Sequence, residues 1–137
     1  MKTRGFTLIE LLIVISIIGI LAETMIGFYG MRDDARDSRI INALGQAGSI
    51  ANTIGAMNNN NYSGVCADAS SFSEIEGLNL LGEDIESSGG TLVCQSSSTG
   101  YCFSSHMITD NSKHYCVTRI RSGYANNPCI NMTCTFD

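Results

Sequence analysis

The N-terminal segment of this 137-residue chain limits its structure more than any other feature. Two basic residues and Gly5 precede an apolar run over residues 6–22 that a single carboxylate, Glu10, interrupts. A secretory signal peptide is cleaved after its apolar core, at a site of small residues. The processing point that fits this chain, Gly5–Phe6, comes before the apolar run instead. Cleavage there keeps a hydrophobic helix on the mature protein, where it can hold the protein in a membrane or in an assembly.

A carboxylate such as that of Glu10 is energetically unfavourable in such an apolar segment. A carboxylate at the centre of a bilayer costs roughly 2.5–3.5 kcal/mol, so a simple membrane anchor would avoid it. After cleavage, Glu10 lies about 6 Å along the helix from the new amine of Phe6. Because paired charges are tolerated in apolar surroundings and unpaired ones are not, we expect Glu10 of one copy to pair with the Phe6 amine of another. An ordinary single-pass anchor explains neither Glu10 nor the position of Gly5.

The segment GFTLIELLIVISIIGILA resembles the prepilin signature of type IV pilins and pseudopilins. The resemblance covers residues 1–30. It implies that a prepilin peptidase cuts after Gly5 and methylates the amine of Phe6. It also implies that Glu10 registers the subunits during assembly and that the apolar helices stack into a filament core. These pilins commonly carry a helix-kinking proline where this chain has Gly27.

The function implied by this resemblance is structural and not enzymatic. The chain would be a type IV pilus subunit, part of a cell-surface filament used in adhesion, motility or DNA uptake. Its implied partners are other pilin subunits, the prepilin peptidase, the assembly machinery and the cytoplasmic (inner) membrane that holds a single-pass precursor. DNA or a host surface is a further candidate partner, and no cofactor is expected. Two alternatives stay open: a minor pilin or a pseudopilin of secretion or competence, and a membrane-anchored extracellular domain that never polymerises.

The predicted fold class is α+β. A long N-terminal helix, half membrane or filament core and half amphipathic, is expected to pack on a small antiparallel β-sheet stapled by disulfides. The predicted divisions are a leader at 1–5, a hydrophobic transmembrane or filament-core helix at 6–31, and a globular head at 32–137. Within the head we expect the amphipathic half of the helix at 32–58, a connecting loop at 59–90, and the sheet with a C-terminal loop at 91–137.

Periodicity supports the amphipathic half of the helix. Mixed charges over residues 32–39 predict a solvated segment. Asparagines at 58–61 favour a turn and end the helix. Apolar residues between these segments recur at helical spacing and predict one buried stripe: Ile40, Leu44, Ala47, Ala51 and Ile54, widened by Ala43, Ile50 and Met57.

Beyond this helix, the pattern changes to short elements. Ser71–Glu74 has the spacing of a capping box and predicts a short helix from that point. Asp110–Ser112 predicts a hairpin turn between two strands. The predicted strands cover residues 91–95, 100–109 and 113–121, with a further strand or strand-like tail at 130–136.

Six cysteines, an even number, all lie beyond residue 65 and favour an oxidising, exported location. Six cysteines allow 15 pairings. The pairings we favour are Cys129–Cys134, Cys102–Cys116 and Cys66–Cys94. No C-x-x-C pair occurs, so no metal site is expected. His106 and His114 flank the predicted hairpin, but oxidised thiols leave them without a nucleophile, so no catalytic residues are predicted.

The charge distribution argues against nucleic-acid binding over the whole surface. The formal charge is −5, and loss of Lys2 and Arg4 leaves 6 basic against 13 acidic residues. No Lys or Arg occurs between Arg39 and Lys113. One group combines positive charge with aromatic rings and is a candidate DNA or ligand surface, with ordinary polar sheet surface as the alternative: Lys113, Arg119, Arg121, Tyr115 and Tyr124.

Overall fold

The computed structural model describes residues 5–26, 28–75 and 77–137. Contacts divide the chain into an N-terminal unit, Met1–Asp33, and a head, Asp34–Asp137. Within the described residues lie three helices and one four-stranded antiparallel sheet, which confirms the α+β class. The helices are α1 (Leu8–Ile26), α2 (Phe28–Met57) and α3 (Leu78–Ser87). The strands are β1 (Val93–Ser96), β2 (Tyr101–His106), β3 (His114–Thr118) and β4 (Ser122–Ala125).

The N-terminal unit contains α1, which occupies much of the hydrophobic segment predicted at residues 6–31. Gly27, which stands where pilins commonly have a helix-kinking proline, lies outside the described residues. A transmembrane helix was also predicted for this segment. Across residues 5–26, 28–75 and 77–137, no helix combines the length and the apolar character that crossing a membrane requires.

In the head, α2 buries the stripe that its sequence predicts. Ile40, Leu44 and Ala47 are fully buried in the core. Met57 was expected to join them and does not, because it is 79% exposed on the last turn of the helix. The turn after α2 is confirmed, since Asn59 and Asn60 take positive φ angles of 54° and 61°.

Asp37 corrects the prediction that residues 32–39 are wholly solvated. Its carboxylate is buried and accepts hydrogen bonds from the backbone N–H groups of Ile108, at 2.6 Å, and Thr109, at 3.2 Å. These bonds satisfy two donors of the loop after β2 and fix that loop to α2. Neighbouring Arg39 remains exposed and pairs with Asp84 of α3 at 2.7 Å.

The capping box predicted at Ser71–Glu74 is wrong, because this stretch is extended. Phe72 is buried, forms an isolated β-bridge with Cys66, and packs edge-on against Phe103 at a centroid distance of 4.9 Å. The helix begins later, at Leu78. Its N-cap is Gly77, which has a φ of 84° and makes no side-chain capping bond. A left-handed cap of this kind suits glycine, which lacks a Cβ.

The sheet is a meander in the order β1-β2-β3-β4. The predicted hairpin at Asp110–Ser112 is confirmed, with the Lys113 N–H donating to the Asp110 carbonyl at 2.9 Å. The fourth strand is β4, and the tail predicted as a strand at 130–136 contributes only isolated bridges. The third predicted strand also ends early, because β3 stops at Thr118 and residues 119–121 form the turn into β4.

A close approach joins the sheet to α2. The Tyr101 hydroxyl of β2 donates to the Gly48 carbonyl of α2 at 3.1 Å. A Cβ at Gly48 would lie 2.8 Å from a methyl group of Val117, so a side chain there would force the helix away from the sheet. Glycine therefore allows α2 to pack directly on β2 and β3.

The disulfides confirm one of the favoured pairings and correct two. Cys66–Cys94 is present as predicted. The other bonds are Cys102–Cys129 and Cys116–Cys134, not Cys102–Cys116 and Cys129–Cys134. In the register of β2 and β3, Cys102 pairs with Thr118, and Cys116 pairs with Ser104. The two cysteines are therefore offset by two positions on one face of the sheet, and each bonds the C-terminal tail instead of the other.

Candidate functional site

The predicted processing junction lies before the start of α1. Gly5 and Phe6 are exposed and non-helical, and no other residue approaches within 4 Å of a Cβ built on Gly5. An accessible peptide bond outside a helix can enter a peptidase active site. The local conformation at Gly5–Phe6 therefore suits cleavage.

Glu10 takes part in a capping box that the sequence analysis missed. The backbone N–H of Thr7 donates to Glu10 Oε2 at 3.0 Å, and the Glu10 N–H lies 3.4 Å from Thr7 Oγ1. Thr7 Oγ1 also donates to Oε2 at 2.7 Å. The signal was present in the sequence, since Thr7-x-x-Glu10 is the T-x-x-E pattern that begins many helices.

The capping box orients the Glu10 side chain and leaves acceptor positions on its carboxylate unused. All three hydrogen bonds of the box involve Thr7, and the two that the carboxylate accepts end on one oxygen, Oε2. A carboxylate offers about four acceptor positions on its two oxygens. Glu10 is exposed in the described chain and can therefore accept a further donor from another molecule.

The apolar surface of α1 surrounds the helix on all sides. Every large apolar side chain from Leu8 to Leu21 is at least 46% exposed. A helix that is apolar all round is typical of a buried position in a large protein or a membrane. Burying each such side chain stabilises by about 1.5–3 kcal/mol, so this surface strongly favours a partner outside the chain. Its members are Leu8, Ile9, Leu11, Leu12, Ile13, Val14, Ile15, Ile17, Ile18, Ile20 and Leu21.

The candidate DNA or ligand surface is only partly brought together. Lys113, Arg121 and Tyr124 line one open cleft of about 450 Å³. Asp137 lines the same cleft and forms an ion pair with Lys113. A hydrogen bond from Lys113 lowers the pKa of Asp137, and the same bond raises the pKa of Lys113, so both groups stay charged at neutral pH. This carboxylate neutralises part of the positive charge that was expected there.

The remaining members of that surface lie in other contacts. Tyr115 packs edge-on against Tyr124 with ring centroids 5.5 Å apart. Arg119 lies over the ring of Tyr62 at 5.5 Å and donates to the Thr99 carbonyl at 3.2 Å. Arg119 and Arg121 line a second cleft of about 360 Å³, so Arg121 belongs to both clefts. A DNA or ligand role for these five residues stays a prediction.

Four of the six sulfur atoms lie close together under the C-terminal tail. Cys134 Sγ is 3.4 Å from Cys102 Sγ and 3.6 Å from Cys129 Sγ, in addition to its bond with Cys116. Three sulfurs at such distances have the spacing of metal ligands. Metal binding requires thiolates, however, and among the described residues every cysteine is in a disulfide.

The two histidines are direct cross-strand partners in β2 and β3. Burial, with a smaller contribution from the nearby His106, lowers the pKa of His114. The Nδ1 atom of His114 is buried and accepts or donates no hydrogen bond among the described residues. His114 is therefore a neutral, packed side chain at neutral pH.

Comparison with known proteins gives one match, at the N-terminus. The family model described as the prokaryotic N-terminal methylation motif matches residues 1–22. The chain carries the class III signal of type IV pilins and pseudopilins. This motif supports a pilin-like or pseudopilin precursor. No curated protein sequence and no solved structure matched the chain.

Proposed function

We propose that this chain is a structural subunit of a type IV pilus. Prepilin peptidase cleaves the membrane-anchored precursor between Gly5 and Phe6 and methylates the new amine. The mature subunit then polymerises through α1 into a cell-surface filament. One observation carries the proposal: the methylation motif at residues 1–22 precedes a helix that is apolar on all sides and exposed in the single chain.

The polymer explains both features of the N-terminal unit. Each subunit that joins the filament exchanges lipid or water around α1 for the apolar surfaces of neighbouring helices. Glu10 of one subunit receives the Phe6 amine of another, and this pairing sets the axial position of the new subunit. The capping box supports the proposal because it holds the Glu10 carboxylate near the start of the helix, where an incoming amine can reach it.

The test separates the charge of Glu10 from its capping role. Glu10→Gln retains a side chain that can accept from the Thr7 N–H but removes the negative charge. We expect this variant to be processed normally and to give at least about tenfold fewer surface filaments, the loss expected when a buried amine has no counter-charge. Filament yield is measured by shearing cells and quantifying the pelleted protein.

Two matched variants complete this experiment. Thr7→Ala removes the side-chain cap but keeps the charge, and Glu23→Ala removes the other carboxylate of α1. Both are expected to retain most of the filament yield. Normal assembly of Glu10→Gln, or equal losses in all three variants, would contradict the assembly role of Glu10.

The same sheared material tests the two other functions left open by the sequence. A chain present at a few copies per filament is a minor pilin or a pseudopilin and not the bulk polymer. A chain that stays with the cells, without a methylated Phe6, is a membrane-anchored domain that does not polymerise.

A further inference from the structure

The turn between β3 and β4 presents an apolar side chain to solvent. Ile120 is 92% exposed, more than any other large apolar side chain among the described residues. The turn is held in shape by its first residue, because Thr118 donates from its N–H and its hydroxyl to the Arg121 carbonyl at 2.9 and 2.8 Å. Ile120 is thus a fixed projection, and a fixed apolar projection loses little conformational freedom when it is buried.

Two arginines flank this projection, and both are held against aromatic rings. Arg119 lies over Tyr62 at 5.5 Å, and Arg121 lies over Phe136 at 3.8 Å. These contacts orient the guanidinium groups while leaving both side chains exposed. Arginine next to a buried apolar anchor is a typical composition of a protein interface. We call residues 119–121 the arginine turn.

A second surface of the head is concave where the arginine turn projects. An apolar groove with a volume of about 350 Å³ is lined by Ile50, Thr53, Ile54, Met57, Asn58 and Ile75. Met57, the residue that was expected in the core, is the exposed wall of this groove. The groove lies between the end of α2 and the segment before α3. It is large enough to receive a branched aliphatic side chain.

One acidic residue lies directly beside the groove in the chain. Glu74 precedes Ile75, is exposed, and lines another cleft together with Glu83 and Glu86. No Lys or Arg lies between Arg39 and Lys113. An apolar groove with the exposed Glu74 next to one of its lining residues complements an apolar projection flanked by two arginines, in shape and in charge.

We infer that the occupant of the groove is the arginine turn of a second copy of this chain. Ile120 and Met57 are both exposed in the same molecule, so the turn does not fill the groove of its own chain. The contact joins two different surfaces of neighbouring copies, and such a heterologous contact generates a ring or an open helical filament. The inference rests on the proposed function, because the filament formed through α1 brings the heads of many copies side by side.

Photo-crosslinking at position 120 tests this contact. Replacement of Ile120 with p-benzoylphenylalanine, followed by illumination of intact cells and of the filaments sheared from them, is expected to give dimers that are crosslinked through their globular heads. Mass spectrometry should place the attached peptide within residues 50–58 or at Ile75. The same replacement at Ile130, which is 54% exposed on the C-terminal tail, is the matched control and should not label the groove.

Substitutions give an independent readout. Ile120→Asp is expected to lower the yield of sheared filaments about tenfold or more, whereas Ile130→Asp should stay within about twofold of the unmodified chain. Arg119→Glu with Arg121→Glu is also expected to lower the yield. Glu74→Lys with Glu83→Lys should then restore it by reversing both sides of the contact. Disulfide mapping of each variant confirms that the head has folded.

The outcomes separate this contact from the polymer itself. Filaments that form normally but crosslink from position 120 to another surface overturn the groove assignment and leave the proposed function intact. Crosslinks into the groove without any filament support the contact and overturn the polymer. Absence of both filaments and groove crosslinks overturns both.

Discussion

The N-terminal unit and the head use apolar helical surface in opposite ways. On α1, the large apolar side chains from Leu8 to Leu21 are all exposed. On α2, a stripe that includes Ile40 and Leu44 is completely buried against the sheet. All six cysteines lie in the head, and three disulfides link it to itself. The head therefore buries its apolar helical stripe within the chain, whereas α1 leaves its apolar side chains exposed.

The difference shows how one chain can be both stable and ready to assemble. Apolar burial contributes to folding only where the chain supplies both sides of the contact. In the head, the sheet supplies the second side, and the disulfides restrict the unfolded chain. On α1, the chain supplies no second side among its described residues, and under the proposed function neighbouring copies supply it, so that burial would contribute to assembly instead of to folding.

Comparable truncations to alanine in the two regions should change the free energy of unfolding by very different amounts. This is the largest difference that we expect. Leu44→Ala should lower the free energy of unfolding of the head by about 2–5 kcal/mol, because it leaves a cavity in a packed core. Ile13→Ala in α1 should change it by less than about 0.5 kcal/mol. Denaturant unfolding of the full chain in mild detergent, followed through the tyrosines, measures both values. Equal losses would contradict the separation of the two regions.

Removal of one disulfide tests the covalent part of the comparison. Cys102→Ser with Cys129→Ser opens a link of 27 residues in sequence. The chain-entropy model then gives a loss of about 3.5 kcal/mol in the free energy of unfolding. Peptide mapping of the unmodified chain provides the control for this result. It should find Cys102–Cys129 and Cys116–Cys134, and a Cys129–Cys134 peptide would show that the tail is attached differently.

Asp37 makes a contact that holds parts of the head together. Asp37→Asn should lower the free energy of unfolding by about 1–3 kcal/mol, because the amide carries no charge and keeps only one of the two oxygens that accept from the backbone of the β2–β3 loop. Asp34→Asn, at an exposed position one turn earlier, is the matched control and should have little effect. Amide exchange at Ile108 and Thr109 should increase only in the Asp37 variant. Unchanged exchange there would contradict the anchoring role of Asp37.

The smallest expected effect is a pH dependence confined to the head. Burial and His106 lower the pKa of His114 from its ordinary value of 6.5. The unfolded chain therefore binds this proton more readily, and stability should fall as the pH drops through about 6.5 and below. His114→Gln should reduce the slope of the free energy of unfolding between about pH 7 and pH 5.5. An unchanged slope in His114→Gln would contradict the assignment to His114. An unmodified chain whose free energy of unfolding increases as the pH falls would also contradict it.

The elements that follow a period or a local pattern could be predicted from the sequence. The stripe on α2 apart from Met57, the turn at the asparagines and the hairpin at Asp110–Ser112 were confirmed, since each depends on neighbours within a few residues. The N-terminal methylation motif was also readable, because it is a local sequence pattern at residues 1–22. Cleavage between Gly5 and Phe6 stays a prediction.

Several features that depend on distant residues were missed, although the Cys66–Cys94 pairing was predicted. Whether Asp37 is solvated or buried depends on a loop more than 70 residues away. The pairing of Cys102 and Cys116 depends on the path of the tail over the sheet. Phe72 was assigned to a helix because its local pattern fits a capping box, but the core of the head holds it in extended backbone. The cap at Thr7 is different, since its pattern was visible and was overlooked.

The central claim is that α1 is retained, freed at Phe6 and completed by other copies of the chain. Mass spectrometry of filaments sheared from the cell surface tests this claim most directly. We predict that the N-terminal peptide of the polymerised protein begins with N-methylated Phe6. A polymerised or surface protein that still carries Met1 to Gly5 would contradict the claim, because no free amine would be present to pair with Glu10.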